Sequence, residues 1–139
     1  MMMNPAQKRA QLEREAILSA SPARLLTMLY DRLLLDLGRA EAAQQNAQWS
    51  VASENLIHAQ AIVAELSSTL KLDVWDGAAD LMAIYTYATT AMLNANTSRD
   101  AARTRECIDL LEPLRQSWHE AAQAQSAAAP MAAGALSVG

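Results

Sequence analysis

Between Pro22 and about Gln45 the apolar side chains return at steps of three and four residues. Leu26, Leu29, Leu33, Leu37 and Ala40 therefore share one face of a helix. Leu25, Met28, Leu34 and Leu35 widen that arc beyond a single seam, so the segment is expected to pack against more than one neighbour. Polar Arg24, Thr27, Asp31 and Arg39 are left on a narrow strip. Ser21 can accept an orphan backbone N–H, and Pro22 fits the first helical position because its missing N–H would be unpaired there anyway.

The same reading continues along the chain. After a polar turn at 44–50, Ala52, Leu56, Ala59, Val63, Leu66 and Leu70 form the seam of a second helix starting near Ser50 or Ala52. The period is lost at 71–73, and Asp73 or Asp76 offers a new cap before Gly77. Leu81, Ile84, Tyr85, Ala88, Met92 and Ala95 then mark a third helix, closed near Asn96 by the turn residues at 96–98. Thr97 with Asp100 resembles a capping box for a fourth helix, whose seam is Cys107, Leu111, Leu114, Trp118 and Ala121, ending near Gln123. Pro113 opposes helix by about 3 kcal/mol, yet the phase continues across it, which predicts one kinked helix rather than two pieces.

Residues 1–20 lack a full core face beyond Leu12, Ala16 and Ile17 and are read as a mobile arm. Residues 124–139 carry Ala, Gln, Ser, Pro and Gly without period and are read as a disordered tail. Four helices of similar length on short links must be antiparallel neighbours. The expectation is an all-α protein: an antiparallel up-down four-helix bundle over 21–123, with the arm before it and the tail after it.

Composition narrows the class. The 52% hydrophobic fraction is carried by Ala and Leu with no Phe, which favours helix over sheet. Apolar runs fall well short of the roughly 20 residues of a membrane span, and no secretory signal is recognisable, so a cytoplasmic protein without membrane insertion is expected. Net charge is −4, with no basic stripe for phosphates, which argues against nucleic acid.

A second stripe lies outside the seams. On the second helix Ile57, Ala61, Ala64 and Ser68 form a row roughly 120° to 180° from the core, and on the third Met82, Thr86, Thr89 and Leu93 repeat its four-three-four spacing in the same rotational sense. The two rows either converge on a shared groove or flank the helix pair. Converging, they make a shallow apolar groove suited to an amphipathic helix. Ile57, Ala61, Ala64, Met82 and Leu93 are the candidate contacts, whereas Tyr30, Leu111 and Trp118 read as structural.

Catalytic chemistry is sparse. A di-iron bundle needs Glu-x-x-His, but Asn55 precedes His58 and Gln116 precedes His119, so neither a metal nor another cofactor is expected. Cys107, the one cysteine, lies in a core seam rather than an open electropositive setting. No glycine-rich phosphate loop exists, and an enzyme is not expected. His58 falls off its seam and leaves open a histidine phosphotransfer bundle. The second stripe also leaves open a self-associating structural protein.

The text of the chain resembles the flagellin-specific export chaperone family, FliS. The resemblance spans about residues 17–122. It rests on Ala20, Ser21 and Pro22 followed by LLTMLYD at 25–31, HAQAIVAEL at 58–66, DVWDGAADLMAIYTYA at 73–88, NAN at 94–96 and LLEPLRQSWHEA at 110–121. It implies a helical bundle that binds the otherwise disordered C-terminal segment of flagellin in the cytoplasm, prevents premature polymerisation and supports export. The flagellar export apparatus, an anti-sigma factor or a co-chaperone stand as further partners of such a protein. The family's usual aromatic ahead of the Ser-Pro cap is absent, Glu13 standing near its place.

Overall fold

The computed structural model describes residues 4–19, 21–73 and 75–138, the side chains of 13–19 and 126–138 excepted. Its helices are α1 (Pro5–Ser19), α2 (Pro22–Gln45), α3 (Trp49–Ser68), α4 (Ala78–Thr97) and α5 (Ala101–Val138). α2 packs against α3 and α5, and α4 packs against the same two, so α2–α5 close a ring with α2 and α4 on one diagonal. The short links at 46–48 and 98–100 make sequential helices antiparallel.

Local chemistry sets each boundary. Ser21 Oγ accepts from Arg24 N at 3.2 Å, and Pro22 opens α2. α2 and α4 end alike: Gln48 N donates to Ala43 O (2.8 Å) and Asp100 N to Ala95 O (3.0 Å), while Ala47 (φ 55°) and Arg99 (φ 52°) take the left-handed conformation. That turn carries α4 through Thr97 and leaves Asp100, not Thr97, to cap α5, its Oδ1 accepting from Ala102 N at 3.0 Å. α4 opens at Gly77 without the side-chain cap expected from Asp73 or Asp76. A Cβ on Gly77 would come within 2.5 Å of the Trp75 ring, which explains glycine there.

α1 is helical over the stretch that the sequence analysis reads as an arm. Asn4 and Gln7 cap it reciprocally, Asn4 Oδ1 accepting from Gln7 N at 2.8 Å and Asn4 N donating to Gln7 Oε1 at 3.2 Å. Its described side chains are all exposed. At the other end, helical backbone continues past Gln123 to Val138, where the sequence reading places a disordered tail. Ala and Gln are strong helix formers and propagate the helix without needing a core face. α5 also passes through Pro113 as a single helix.

The predicted seams form the core. Tyr30, Leu33, Leu37, Leu56, Val63, Tyr85, Met92, Cys107 and Leu111 are all at most 2% exposed. Ala121 is the exception and is exposed, because α4 begins only at Ala78 and does not flank α5 there. At the centre the Tyr30 and Tyr85 hydroxyls meet at 2.5 Å, across the diagonal. Trp118 packs on Tyr30 (ring centroids 6.3 Å) and Trp75 edge-on against Trp118 (6.4 Å).

Polar bonds tie the seams. Asp36, fully buried on α2, accepts from Arg32 Nε at 3.0 Å and pairs with His58 Nδ1 of α3. Gln44 Nε2 donates to Ala95 O (3.1 Å) and its Oε1 accepts from Thr104 (2.7 Å), joining α2, α4 and α5. Arg105 grips Glu41 through both Nε (2.8 Å) and Nη2 (2.5 Å). Asp31 accepts from Arg115 (3.0 Å) and His119 (2.6 Å). Partial burial works against the charged Asp31 carboxylate, but His119 and Arg115 outweigh it and hold its pKa below the ordinary value.

Three outcomes follow from this packing. Tyr85→Phe leaves the Tyr30 hydroxyl buried without its partner and should cost about 1–3 kcal/mol in denaturant unfolding. Ala47→Gly relieves the left-handed strain and should raise stability by about 0.5–1 kcal/mol in the same assay. A folded-state pKa lowered from the ordinary 3.8 makes the Asp31 contribution complete above that value and lost as pH falls through the lowered one. Thermal midpoints of wild type and Asp31→Asn should therefore differ at pH 7 and draw together only as pH falls from about 4 through the lowered value.

Candidate functional site

The Ser53 hydroxyl accepts from Asn96 Nδ2 at 3.1 Å, which identifies the flanks by which α3 and α4 face each other. Heptad steps from that bond place Gln60 and Ser67 along the α3 side of the seam, and Thr89 and Met82 along the α4 side. Just outside run Ile57, Ala61, Ala64 and Ser68 on α3, with Thr86 and Leu93 on α4. The rows at 57–68 and 82–93 therefore converge on one seam. With Asn96 opposite Ser53, antiparallel register brings Leu93 level with Ile57 and Met82 level with Ser67 and Ser68. From Ile57 to Ser68 the row is about 16 Å long, three helical turns.

Ile57 is 58% exposed and Leu93 49%, large values for aliphatic side chains. Ala61, Ala64, Ser68 and Thr86 are exposed, while Met82 and Thr89 are half-buried in the cleft. The hydroxyls are turned into their own helices: Thr86 donates to Met82 O (2.9 Å), Thr89 to Tyr85 O (2.8 Å), Ser67 to Val63 O (2.8 Å) and Ser68 to Glu65 O (2.8 Å). Neither row contains an ionisable side chain. The surface between the rows is small, apolar and weakly polar, with its hydroxyl protons already engaged. Such a surface admits the close approach of another helix and can do no acid-base chemistry.

Other exposed apolar groups stand apart. Leu12 lies on α1, Leu25 and Leu35 on α2, Val51 at the start of α3, and Leu72 and Trp75 in the 69–77 link. Tyr87 is on the α4 flank toward α5, its hydroxyl donating to Glu106. A polar depression of about 390 Å³ at one end of the bundle includes Trp49 with Arg99 stacked 5.1 Å over its ring. A cleft of about 700 Å³ between the start of α2 and the middle of α5 includes Met28, Asp31 and His119.

The remaining sequence candidates are accounted for in the packing. Cys107 is buried, its Sγ 3.8 Å from Ala88 O, and burial followed by the nearby Glu106 charge pushes its thiol up to about 11. A thiol held protonated is a core residue rather than a nucleophile. His58 is exposed but has Nδ1 committed to Asp36. The Asp36 site escaped the sequence reading, because an acid on the apolar side of a helix signals burial only once its partner, 22 residues away, is known.

Among the described residues no helix is long and apolar enough to cross a membrane. The chain is 29% identical over 113 residues to the flagellar secretion chaperone FliS of Bacillus subtilis (strain 168), covering 81% of this chain and 84% of that protein. Its fold matches a crystal structure of a flagellar chaperone from bacteria with a TM-score of 0.68 at 16% identity, over 83% of this chain and 98% of the other. Residues 2–125 match the family described as flagellar protein FliS, and with that match over the arm and the whole bundle, the chain belongs to the FliS family.

Proposed function

We propose that this chain is a cytoplasmic flagellar secretion chaperone that binds the C-terminal segment of flagellin, prevents its premature polymerisation and delivers it for export. Membership of the FliS family supports the chaperone role. The observation that carries the binding site is the convergence of two uncharged rows on the α3–α4 seam, where Ile57 and Leu93 are each about half exposed. Ile57, Ala61, Ala64, Met82 and Leu93 form the contact surface, and the work is done by binding rather than catalysis.

The mechanism is coupled folding and binding. A tail that is disordered when free orders as an amphipathic helix along the three-turn groove, its apolar side chains leaving water against Ile57, Met82 and Leu93. Part of that gain offsets the entropy of ordering the tail. Small Ala61 and Ala64 let the incoming backbone lie close. A flagellin tail held this way cannot make the contacts that join it to other subunits. The export apparatus is then the natural receiver of the complex, and an anti-sigma factor or co-chaperone would use other surfaces, such as the α2–α5 cleft.

Isothermal titration with the C-terminal segment of flagellin from the same bacterium should show one-to-one binding, with circular dichroism reporting helix beyond the sum of the parts. Ile57→Asp and Met82→Asp together place two charges in the groove without entering the core. They should leave the bundle folded and weaken the tail by tenfold or more, about 1.4 kcal/mol. Undiminished affinity in a folded double variant would remove the groove assignment, and no binding by the wild type would remove the chaperone reading.

A further inference from the structure

His58 stands on α3 with its side chain 53% exposed, and its Nδ1 meets Oδ2 of Asp36, a carboxylate on α2 with no exposure at all. A carboxylate only accepts, so the ring proton sits on Nδ1 and Nε2 keeps its lone pair. Because the Nδ1 edge of the ring is drawn toward a buried group, the far edge, which carries Nε2, accounts for the exposure. Among the described residues nothing hydrogen-bonds to that nitrogen. The other oxygen of Asp36 accepts from Arg32 Nε at 3.0 Å, and the Arg32 side chain is 51% exposed with both terminal nitrogens unengaged.

The other histidine uses the same residue types differently. His119 has its Nε2, not Nδ1, on Asp31 at 2.6 Å, and that aspartate is itself exposed. The arginine beside it is used up: Arg115 Nη1 donates to Asp31 (3.0 Å), and Nε and Nη2 donate to Glu112 (2.9 and 2.8 Å). Of the two, His58 alone combines an open outer nitrogen, a buried carboxylate that fixes its tautomer and direction, and a guanidinium with N–H groups to spare. A carboxylate on the inner nitrogen raises the basicity of the outer one, which is how an imidazole is prepared as a nucleophile. An ion pair that served only to join α2 and α3 would need no open nitrogen.

We infer that His58 is a phosphoryl-acceptor site, with Nε2 as the nucleophile, Asp36 as a positioning residue on Nδ1, and Arg32 as the countercharge for the phosphoryl oxygens. The donor is a high-energy phosphoryl compound, either a phosphoramidate such as a phosphorylated histidine or an acyl phosphate. The Nε2 lone pair forms the new N–P bond. The donor's P–N or P–O bond breaks, and its electron pair leaves with the amine or the carboxylate. The Nδ1 proton stays between the ring and Asp36, whose charge offsets the positive charge that the ring acquires. α3 contains no Lys or Arg, and Glu54 and Glu65 lie one turn before and two turns after His58, so the cation has to come from α2. The site lies on the α2 flank of α3 and does not depend on the α3–α4 groove.

The test treats the full chain with phosphoramidate in one arm and acetyl phosphate in the other, and follows it by phosphorus NMR and by mass spectrometry of its peptides. An acid-labile phosphoryl group should appear on His58 about tenfold or more faster than on His119 of the same molecule. Asp36→Asn, which keeps the shape of the side chain, should slow His58 about 10- to 100-fold and leave His119 unchanged. Arg32→Gln should slow His58 by a smaller factor, and that factor should shrink as salt screens the guanidinium. Circular dichroism checks that each variant is folded; should Asp36→Asn not fold, the ratio of the two histidines in the wild type and in Arg32→Gln decides. Labelling by phosphoramidate alone assigns the N–P donor class, by acetyl phosphate alone the acyl class, and by both a site open to either. Equal labelling of the two histidines, no label from either donor, or an unchanged His58 rate in folded Asp36→Asn would overturn the assignment and leave His58 as a tie between α2 and α3.

Discussion

Tyr30 and Tyr85 meet hydroxyl to hydroxyl at the centre of the bundle, joining α2 and α4, which share no seam. Burial raises the pKa of both phenols, so both keep their protons and the contact stays a neutral hydrogen bond. Because it spans the diagonal, it sets how closely the two helices approach and hence how much room α3 and α5 have beside them. Trp118 leans on Tyr30, and Trp75 covers Trp118 from the 69–77 link. Gly77 lets the Trp75 ring lie against the start of α4. One phenol pair and two indoles thus carry the order of the centre out to one end.

Around that centre the seams are unequally tied. α2 and α3 are joined through buried Asp36 and His58, and α2 and α5 through Glu41, Gln44 and Asp31. α4 and α5 are joined through Tyr87 with Glu106 and Cys107 with the Ala88 carbonyl. Between α3 and α4 the described side chains make one hydrogen bond, Asn96 to Ser53, near one end. That seam, tied like the α2–α3 seam by a single side-chain contact, is the one flanked by Ile57 and Leu93.

Much of this was legible in the chain. Helical period selected Leu33, Leu37, Leu56, Val63, Tyr85, Met92, Cys107 and Leu111, all buried, since a residue on the apolar face of an amphipathic helix has nowhere else to go. The helix ends were less legible. The link at 98–100 turns through a left-handed arginine, and that conformation is held by hydrogen bonds to the end of α4 rather than by a residue type that signals it. Asp36 and Gln44 were invisible for a related reason: a polar residue among leucines is tolerated inside only if another helix supplies its partners, and those lie 22 and 60 residues away.

By itself the sequence determined which side chains lie inside, that short links make neighbouring helices antiparallel, and that two rows of small and apolar residues remain outside the core. Each is a matter of spacing along one helix. It could not determine whether those rows meet. An antiparallel ring of four helices can be closed in either hand, and reversing the hand turns the 57–68 and 82–93 flanks from each other toward α2 and α5. Only the tertiary structure chose the hand, through contacts between side chains distant in the chain, and so turned the flanks that carry Ile57, Met82 and Leu93 toward a common seam.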